Sequence, residues 1–332
     1  MLRSLPLKIA AVTALAGALF VSDAAKVRAE YPEKPIKIIV PFRAGGATDT
    51  LAKLVAKGLS DTLGVSVVTQ AIGGGGGAVG TAQASRARPD GYTLVVGSDG
   101  TLGSTTQASD TGYTHKDFVP LGKLAYLPMG VAVRNDSPVK DVKELAAYLK
   151  ANPGTKYTTV GTGSSVHLTG ATWAKKNGLD LVHIGNRGGQ GAVTKLLSKE
   201  VEFIMFGASR IPGQVKDGVG KGDYRPIAVT SADTWEYAPM IPTMKQQGYD
   251  VVATSFWGLF APKGTPQDVV DKLAAAIKTT VTSDEMKVTL QKFAFTPDYK
   301  DADGLLKDVQ AAIVSYREGL DAVGLLKRPI EP

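Results

Sequence analysis

The chain has 332 residues, of which 43% are hydrophobic and 21% charged; it has no cysteine and a formal net charge of +7. Without cysteine, disulfide scaffolds, thiolate-bound zinc and thiol nucleophiles are excluded, and His115, His167 and His183 are too scattered for a histidine-rich metal site. The length allows two domains, and no block of five or six Lys/Arg marks a nucleic-acid-binding tract.

Residues 1–29 read as a secretory signal. Arg3 and Lys8 give a basic start, residues 9–21 form an apolar run, and Val27-Arg28-Ala29 offers a cleavage site. Thirteen apolar residues (9–21) are too few to span a bilayer, which needs about 20. Cleavage after Ala29 leaves 332 − 29 = 303 residues, with earlier cuts after Ala24 or Ala25 as alternatives. The leader carries Arg3, Lys8, Lys26 and Arg28 against Asp23, so the mature chain has a net charge of 7 − 3 = +4.

The segment at 36–49 (IKIIVPFRAGGATD) combines three local signals. A short apolar run ends at Pro41, which cannot donate to a continuing ladder. Ala44-Gly45-Gly46 frees the backbone, and Leu51, Leu54, Val55 and Leu59 recur at helical spacing after Thr48-Asp49. A strand, a glycine loop and a helix N-terminus make an anion cradle. Asp49 in the first turn is expected to cap the helix. Arg43 is expected to add positive charge where the loop N–H groups converge.

A second strand is expected at 65–70, then the glycine run 73–77, a helix at 78–87 and a buried-type strand at 92–97. Gly75 to Gly80 fit G-x-G-x-x-G, with Asp99 further on, which is the dinucleotide-binding pattern. In so glycine-rich a stretch the match carries little, and a structural loop or a cleft wall is the preferred reading. Residues 102–118 read as irregular, with apolar segments after them at 119–125 and 129–133 and a helix at 139–151.

The second half of the chain repeats the strand–loop–helix alternation. A strand at 156–160 leads through Gly161 to Ser165 into a helix at 166–176, and a strand at 179–184 leads through residues 185–191 into a helix at 192–198. Strands at 201–206 and 225–230 complete this set; residues 251–261 read as strands returning to the first lobe, followed by helices at 267–281, 284–293 and 303–323. The alternation is that of an α/β protein. The chain is expected to leave one lobe near residue 130 and re-enter it near 252, giving a hinge and an interdomain cleft. Lobe 1 is then 30–130 plus 252–332, and lobe 2 is 131–251.

Ser164 and Ser165 sit where a helix N-cap is expected, and their N–H and hydroxyl groups suit a carboxylate. A serine nucleophile requires an oriented base, and no G-x-S-x-G elbow occurs. Arg187 offers a fork for a bidentate carboxylate contact. Phe42, Phe206 and Trp257 are core candidates first and cleft candidates second.

Several blocks, taken together and in order, resemble one family. They are YPEKP at 31–35, VPF at 40–42, GGATD at 45–49, PDGYTL at 89–94, SPVKDVKEL at 137–145, AVTS at 228–231 and WGLFAPKGTP at 257–266. The chain is similar to the extracytoplasmic solute receptors of tripartite tricarboxylate transporters, the Bug or TctC-like proteins. The resemblance implies a two-lobed periplasmic binding fold with no cofactor, no metal and no catalysis. It also implies delivery of a small carboxylate to integral membrane permease subunits, and a monomer is expected. Its binding loops map onto Phe42, Arg43, Gly45, Gly46, Thr48, Ser98, Asp99, Thr101, Gly163, Ser164, Ser165, Arg187, Gly188 and Gly189.

The chain departs from the family pattern at Arg43, at Gly185-Asn186, at Phe206-Gly207 where an aspartate is common, and at Arg210. An absent carboxylate and two added cations favour a di- or tricarboxylate, or an aromatic carboxylate stacking near Phe206, over an amino acid. Phe206 and Arg210 therefore join the candidate ligand contacts. The rival readings are a ligand sensor for a signalling partner and a secreted α/β enzyme.

Overall fold

The computed structural model describes residues 31–215 and 222–332, so the leader lies outside the described residues. Strand β1 (Ile36–Val40) is flanked in parallel by β2 (Val67–Ala71) and β3 (Thr93–Ser98). Beyond β3 the pairing turns antiparallel, through β9 (Thr254–Pro262) to β4 (Phe118–Arg134), with the short β10 (Thr296–Pro297) also on β4. The other half of the sheet is built on the far end of β4. There β7 (Phe203–Gly207) and β8 (Tyr224–Val229) pair antiparallel to it, and β5 (Thr155–Thr158) and β6 (Leu181–Ile184) extend it in parallel.

The helices alternate with these strands: α1 (Ala47–Leu63), α2 (Ala78–Ser85), α3 (Thr105–Ala108), α4 (Val142–Ala151), α5 (Ser165–Lys176), α6 (Gly189–Leu197) and α7 (Ile211–Val215). At the C-terminal end come α8 (Gln267–Thr282), α9 (Asp284–Lys292) and α10 (Ala302–Ala322). α1 packs against α8 and α9, and α10 lies against β4.

β4 is the joint of the molecule. Its residues up to Pro128 pair with β9, and those from Met129 onward pair with β7 and β8. Each side has its own apolar core. Ile39, Val95, Phe118, Phe260, Leu305 and Ile313 cluster on one side, and Met129, Leu145, Trp173, Phe203 and Ile227 on the other.

The chain re-crosses beside the outgoing strand, and Thr230 ties the two crossings together. Its N–H donates to the Met129 carbonyl at 2.9 Å, and its carbonyl accepts the Ala253 N–H at 2.9 Å. Its hydroxyl accepts the Met129 N–H at 2.9 Å and donates to the Ala253 carbonyl at 2.6 Å.

Two expectations are corrected here. Residues 102–118 are not irregular: a wide helical turn spans Gly100–Ser104, α3 continues from it, and His115–Asp117 forms a 3-10 turn. The polar composition misleads because these side chains are buried and paired internally. Thr106 donates to the Leu102 carbonyl at 3.1 Å and Gln107 to the Ile313 carbonyl at 2.9 Å. The segments at 119–125 and 129–133 are one strand, β4, whose Pro128 stands where the pairing partners change.

The hydroxyl of Thr230 is buried, so removing it leaves the Met129 N–H and the Ala253 carbonyl short of a partner. Thr230→Val should therefore cost about 1–3 kcal/mol of stability. Denaturant unfolding reads this directly, and an unchanged midpoint contradicts the assigned role.

Candidate functional site

The loops after β1, β3, β5, β6 and β7, together with the start of β9, enclose a cavity of about 50 Å³ between the two halves. That is more than the roughly 10–15 Å³ one water requires. Its wall includes Phe42, Gly46, Thr48, Ser98, Ser164, Ser165, Gly189, Phe206 and Arg210 of the sequence-derived candidates.

The β1–α1 loop presents Phe42, Gly46 and the first turn of α1. Gly46 caps this helix in extended geometry with no side-chain bond, so its first N–H groups face the cavity region unblocked by a cap. Asp49 turns away from the cavity: its Oδ2 accepts the Gly45 N–H at 2.8 Å and Lys53 Nζ at 2.8 Å. Thr48 accepts the indole N–H of Trp257 at 3.0 Å, which fixes that ring in the wall.

The second wall comes from α5 and α6. Ser164 caps α5 by accepting the His167 N–H at 3.2 Å, and its hydroxyl donates to the Gly161 carbonyl at 2.7 Å. The hydroxyl proton thus goes to a carbonyl and not to an imidazole, which removes the geometry a serine nucleophile requires. Ser165 Oγ lies 3.5 Å from Ser255 Oγ. α6 begins at Gly189, three residues before the expected 192, so its open N-terminus also reaches the wall.

Seven candidates do not line the cavity: Arg43, Gly45, Asp99, Thr101, Gly163, Arg187 and Gly188. Arg43 and Arg187 are exposed, and they meet through the backbone, the Arg43 N–H donating to the Arg187 carbonyl at 2.9 Å. That contact stitches two facing loops, and the Arg43 side chain is not among the residues that line the cavity. Thr101 braces its turn, accepting the Ser98 N–H at 2.9 Å and donating its own N–H to Ser98 Oγ at 3.1 Å. Gly163 accepts the hydroxyls of Ser104 and Thr105 at 2.9 and 3.2 Å.

The glycine run is filled by protein. Gly76 has φ +65, and a Cβ there would lie 2.3 Å from the Thr162 carbonyl of the facing loop. The G-x-G-x-x-G match is thus explained by close approach of two loops, and leaves no phosphate cradle.

Sequence reading missed Ala47, Gly100, Val160, Val166, Gly207, Ser209 and Ser255 as wall residues, and Trp257 it ranked as core. The signal for the last two was the period-two alternation on β9, which puts Ser255 and Trp257 on one face.

Among the described residues, Arg210 is the one charged side chain in the cavity wall, and no acid lines it. Its Nη1 donates to the Gln190 side-chain oxygen at 2.5 Å. Behind the wall, Asp99 is buried, accepts the Tyr316 hydroxyl and the Phe256 N–H, and burial pushes its carboxyl up to about 6. Beneath α5, His167 and His183 stack with centroids 3.8 Å apart. The Gly163 N–H donates to His167 Nδ1 at 3.0 Å, and His183 Nε2 lies 2.9 Å from Thr159 Oγ1. Burial lowers the two rings to about 4 and about 3. Among the described residues no group of three His, Asp or Glu side chains is placed to hold a metal.

Two α/β halves sharing one strand and walling a cavity between them define a two-lobed periplasmic binding fold. The solved structure of the periplasmic binding protein BugD is 31% identical, with a TM-score of 0.83 over 90% of this chain and all of that one. A protein of R. palustris, Rpa4515, solved with adipate, is 25% identical with a TM-score of 0.82 over 89% of this chain and 98% of that one. Protein BugT of Bordetella pertussis is 31% identical over 82% of this chain and 83% of its own. Residues 51–325 match the TctC family, described as the tripartite tricarboxylate transporter family receptor. The chain belongs to that family.

The buried histidine pair generates a pH prediction. Both rings stay neutral in the fold but can protonate once unfolded, near their ordinary value of 6.5. The unfolded chain therefore binds more protons below that value, and stability is lost as pH falls from about 6.5 towards 3. Asp99, raised in the fold, opposes this below about 6, with one group against two. Denaturant midpoints between pH 7.5 and 4.5 should fall for the native chain and fall less for His183→Gln; equal slopes contradict this.

Proposed function

We propose that the protein is an exported receptor that captures a small carboxylate in this cavity, shuts its lobes over it and presents it to membrane permease subunits. The observation that carries the reading is the electrostatics of the wall. The N-terminal ends of α1, α5 and α6 and the Arg210 guanidinium converge there, with no acidic side chain among the described lining residues. Helix N-termini present unpaired N–H groups and a positive partial charge, so they favour an anion. The family membership and the adipate held by Rpa4515 support the same class of ligand.

The remaining wall narrows that class. Phe42, Val160, Val166, Phe206 and Trp257 give it an apolar middle suited to a hydrocarbon chain or an aromatic ring. Arg210 supplies a second anion contact, so a di- or tricarboxylate, or an aromatic carboxylate, fits. An amino acid's ammonium group finds no carboxylate among the described wall residues and faces a guanidinium instead. The hydroxyls of Ser98, Ser164, Ser165 and Ser255 complete the polar lining. Residues 1–29 act in this reading as a cleaved leader that places the mature chain in the periplasm as a monomer. Lobe 2 is assigned to residues 131–251 and lobe 1 to 30–130 with 252–332.

Calorimetry with citrate, C4-dicarboxylates, adipate, phthalates and amino acids tests the ligand class; preference for an amino acid contradicts it. Arg210→Gln removes a charged hydrogen-bond donor worth roughly 1.5–3 kcal/mol, a loss of about 10- to 100-fold in affinity. Arg43→Ala keeps its main-chain bond and should bind within about twofold of the native chain. Equal losses for both arginines contradict the assignment.

Shutting the lobes brings Gly76 against Thr162, where a methyl group has no room. Gly76→Ala should weaken ligand affinity by roughly tenfold or more, with a local backbone cost of only about 1 kcal/mol. Undiminished affinity in this variant contradicts closure through this contact.

A further inference from the structure

Ser104 and Thr105 stand where the turn after β3 runs into α3. Both are buried, and neither lines the cavity. Their segment belongs to the first half of the molecule. Leu102 sits in that half's core, Gln107 donates to the Ile313 carbonyl of α10 at 2.9 Å, and the Tyr113 hydroxyl donates to the Thr101 carbonyl at 2.8 Å. The acceptor that the two hydroxyls share belongs to the second half. The Gly163 carbonyl accepts Ser104 Oγ at 2.9 Å and Thr105 Oγ1 at 3.2 Å. Gly163 lies in the loop between β5 and α5, and the next two residues, Ser164 and Ser165, line the cavity.

Each hydroxyl has a second acceptor, this one in its own half. Ser104 Oγ lies 3.3 Å from the Gly100 carbonyl, and Thr105 Oγ1 lies 3.1 Å from the Gly76 carbonyl.

We propose that Ser104 and Thr105 are positioning residues that hold the closed form. Their hydroxyls donate across to Gly163 when the lobes shut and turn back to Gly100 and Gly76 when the lobes part. The inference deepens the closure reading above and rests on it.

A hydroxyl has one proton to give, so each side chain serves one acceptor at a time, whereas a carbonyl has two lone pairs and takes both donors together. A buried donor left without a partner is costly, and the second acceptors remove that cost from the open form. Donation from Ser104 to Gly100 is the i to i−4 bond open to any helical serine, and the Gly100 carbonyl keeps the Thr105 N–H when Ser104 leaves it. Gly163 is fixed from its own side: its N–H donates to His167 Nδ1 at 3.0 Å. Its φ of +77 lies in the left-handed region that glycine favours, and a Cβ there would come 3.0 Å from the Ala108 Cβ of the first half. When the lobes part, water takes the place of the two hydroxyls at the Gly163 carbonyl. Both arrangements leave neither hydroxyl unpaired, so a few neutral hydrogen bonds set the balance between them.

The neighbouring Thr106 supplies the control. It is equally buried, but its hydroxyl donates within its own half, to the Leu102 and Gly103 carbonyls at 3.1 and 3.0 Å.

The test is calorimetry and stopped-flow binding of the carboxylate panel to Ser104→Ala, Thr105→Val, the double variant and Thr106→Val. The double variant leaves a buried carbonyl without donors in the closed form and should lose roughly 10- to 100-fold in affinity, each single variant about 2- to 10-fold. The loss should appear as faster release, with association within about twofold of the native chain. Thr105→Ser keeps the hydroxyl and should release ligand like the native chain. Thr106→Val should lower the unfolding midpoint and leave release unchanged. Native release rates in the single and double variants, or the same acceleration in Thr106→Val, overturn the assignment. If no member of the panel binds, the carboxylate reading fails on its own, and lobe separation decides the latch. The chain has no cysteine, so Lys57→Cys on α1 and Lys175→Cys on α5, both exposed, take a pair of spin labels at unique positions. In the ligand-free chain, removing the two hydroxyls should move the label distances to longer values, and Thr106→Val should not. An unchanged distribution overturns the latch.

Discussion

Everything in this molecule depends on the place where the chain crosses twice between its halves. β4 changes partners at Pro128 and Met129, the returning strand passes Ala253, and Thr230 holds both with its backbone and its hydroxyl. Packed cores resist deformation because their side chains interdigitate at crystal-like density. Each half has a separate core, so in the proposed closure the movement falls at the crossings, where few side chains must repack.

The chemistry of that cavity is supplied mainly by backbone. Three helices begin at its wall, and two of them, α1 and α6, are capped by glycine with no side-chain bond to their first N–H groups. The third, α5, is capped by Ser164, whose hydroxyl also stays at the wall. Facing loops approach so closely at Gly76 and Thr162 that a methyl group would collide. Apolar walls lower the local dielectric, which strengthens each remaining polar contact. Arg210 borders this site from an exposed position, with its Nη1 donating to the Gln190 side-chain oxygen.

Much of this is legible in the residues. The strand, loop and helix at 36–63 are clear because a short apolar run meets Pro41 and then a glycine pair, a break no single element tolerates. Ser164 and Ser165 together announce a cap by their place before a helical pattern, and the structure gives that role to Ser164. Residues 102–118 are not legible, since polar composition suggests solvent, whereas the hydroxyls of Ser104 and Thr106 and the side-chain NH2 of Gln107 donate to buried carbonyls. Arg43 suggests itself for the site because it is near Gly45 and Gly46 in sequence. Which long side chain borders the cavity is decided by the opposing lobe, which local sequence does not describe: Arg43 and Arg210 are both exposed, and only Arg210 is in the wall. Trp257 is hidden by its apolar neighbours, although its alternation with Ser255 along β9 carries the signal.

The central claim is that this interlobe cavity holds an anion through helix N-termini, hydroxyls and Arg210. A crystal structure of the protein with its tightest-binding ligand tests that most directly. The account predicts a carboxylate group within hydrogen-bond distance of the main chain at Gly46 to Thr48 or of Ser164 and Ser165, with a second anionic or polar end towards Arg210. A ligand seated elsewhere, or a cationic ligand in this cavity, contradicts it.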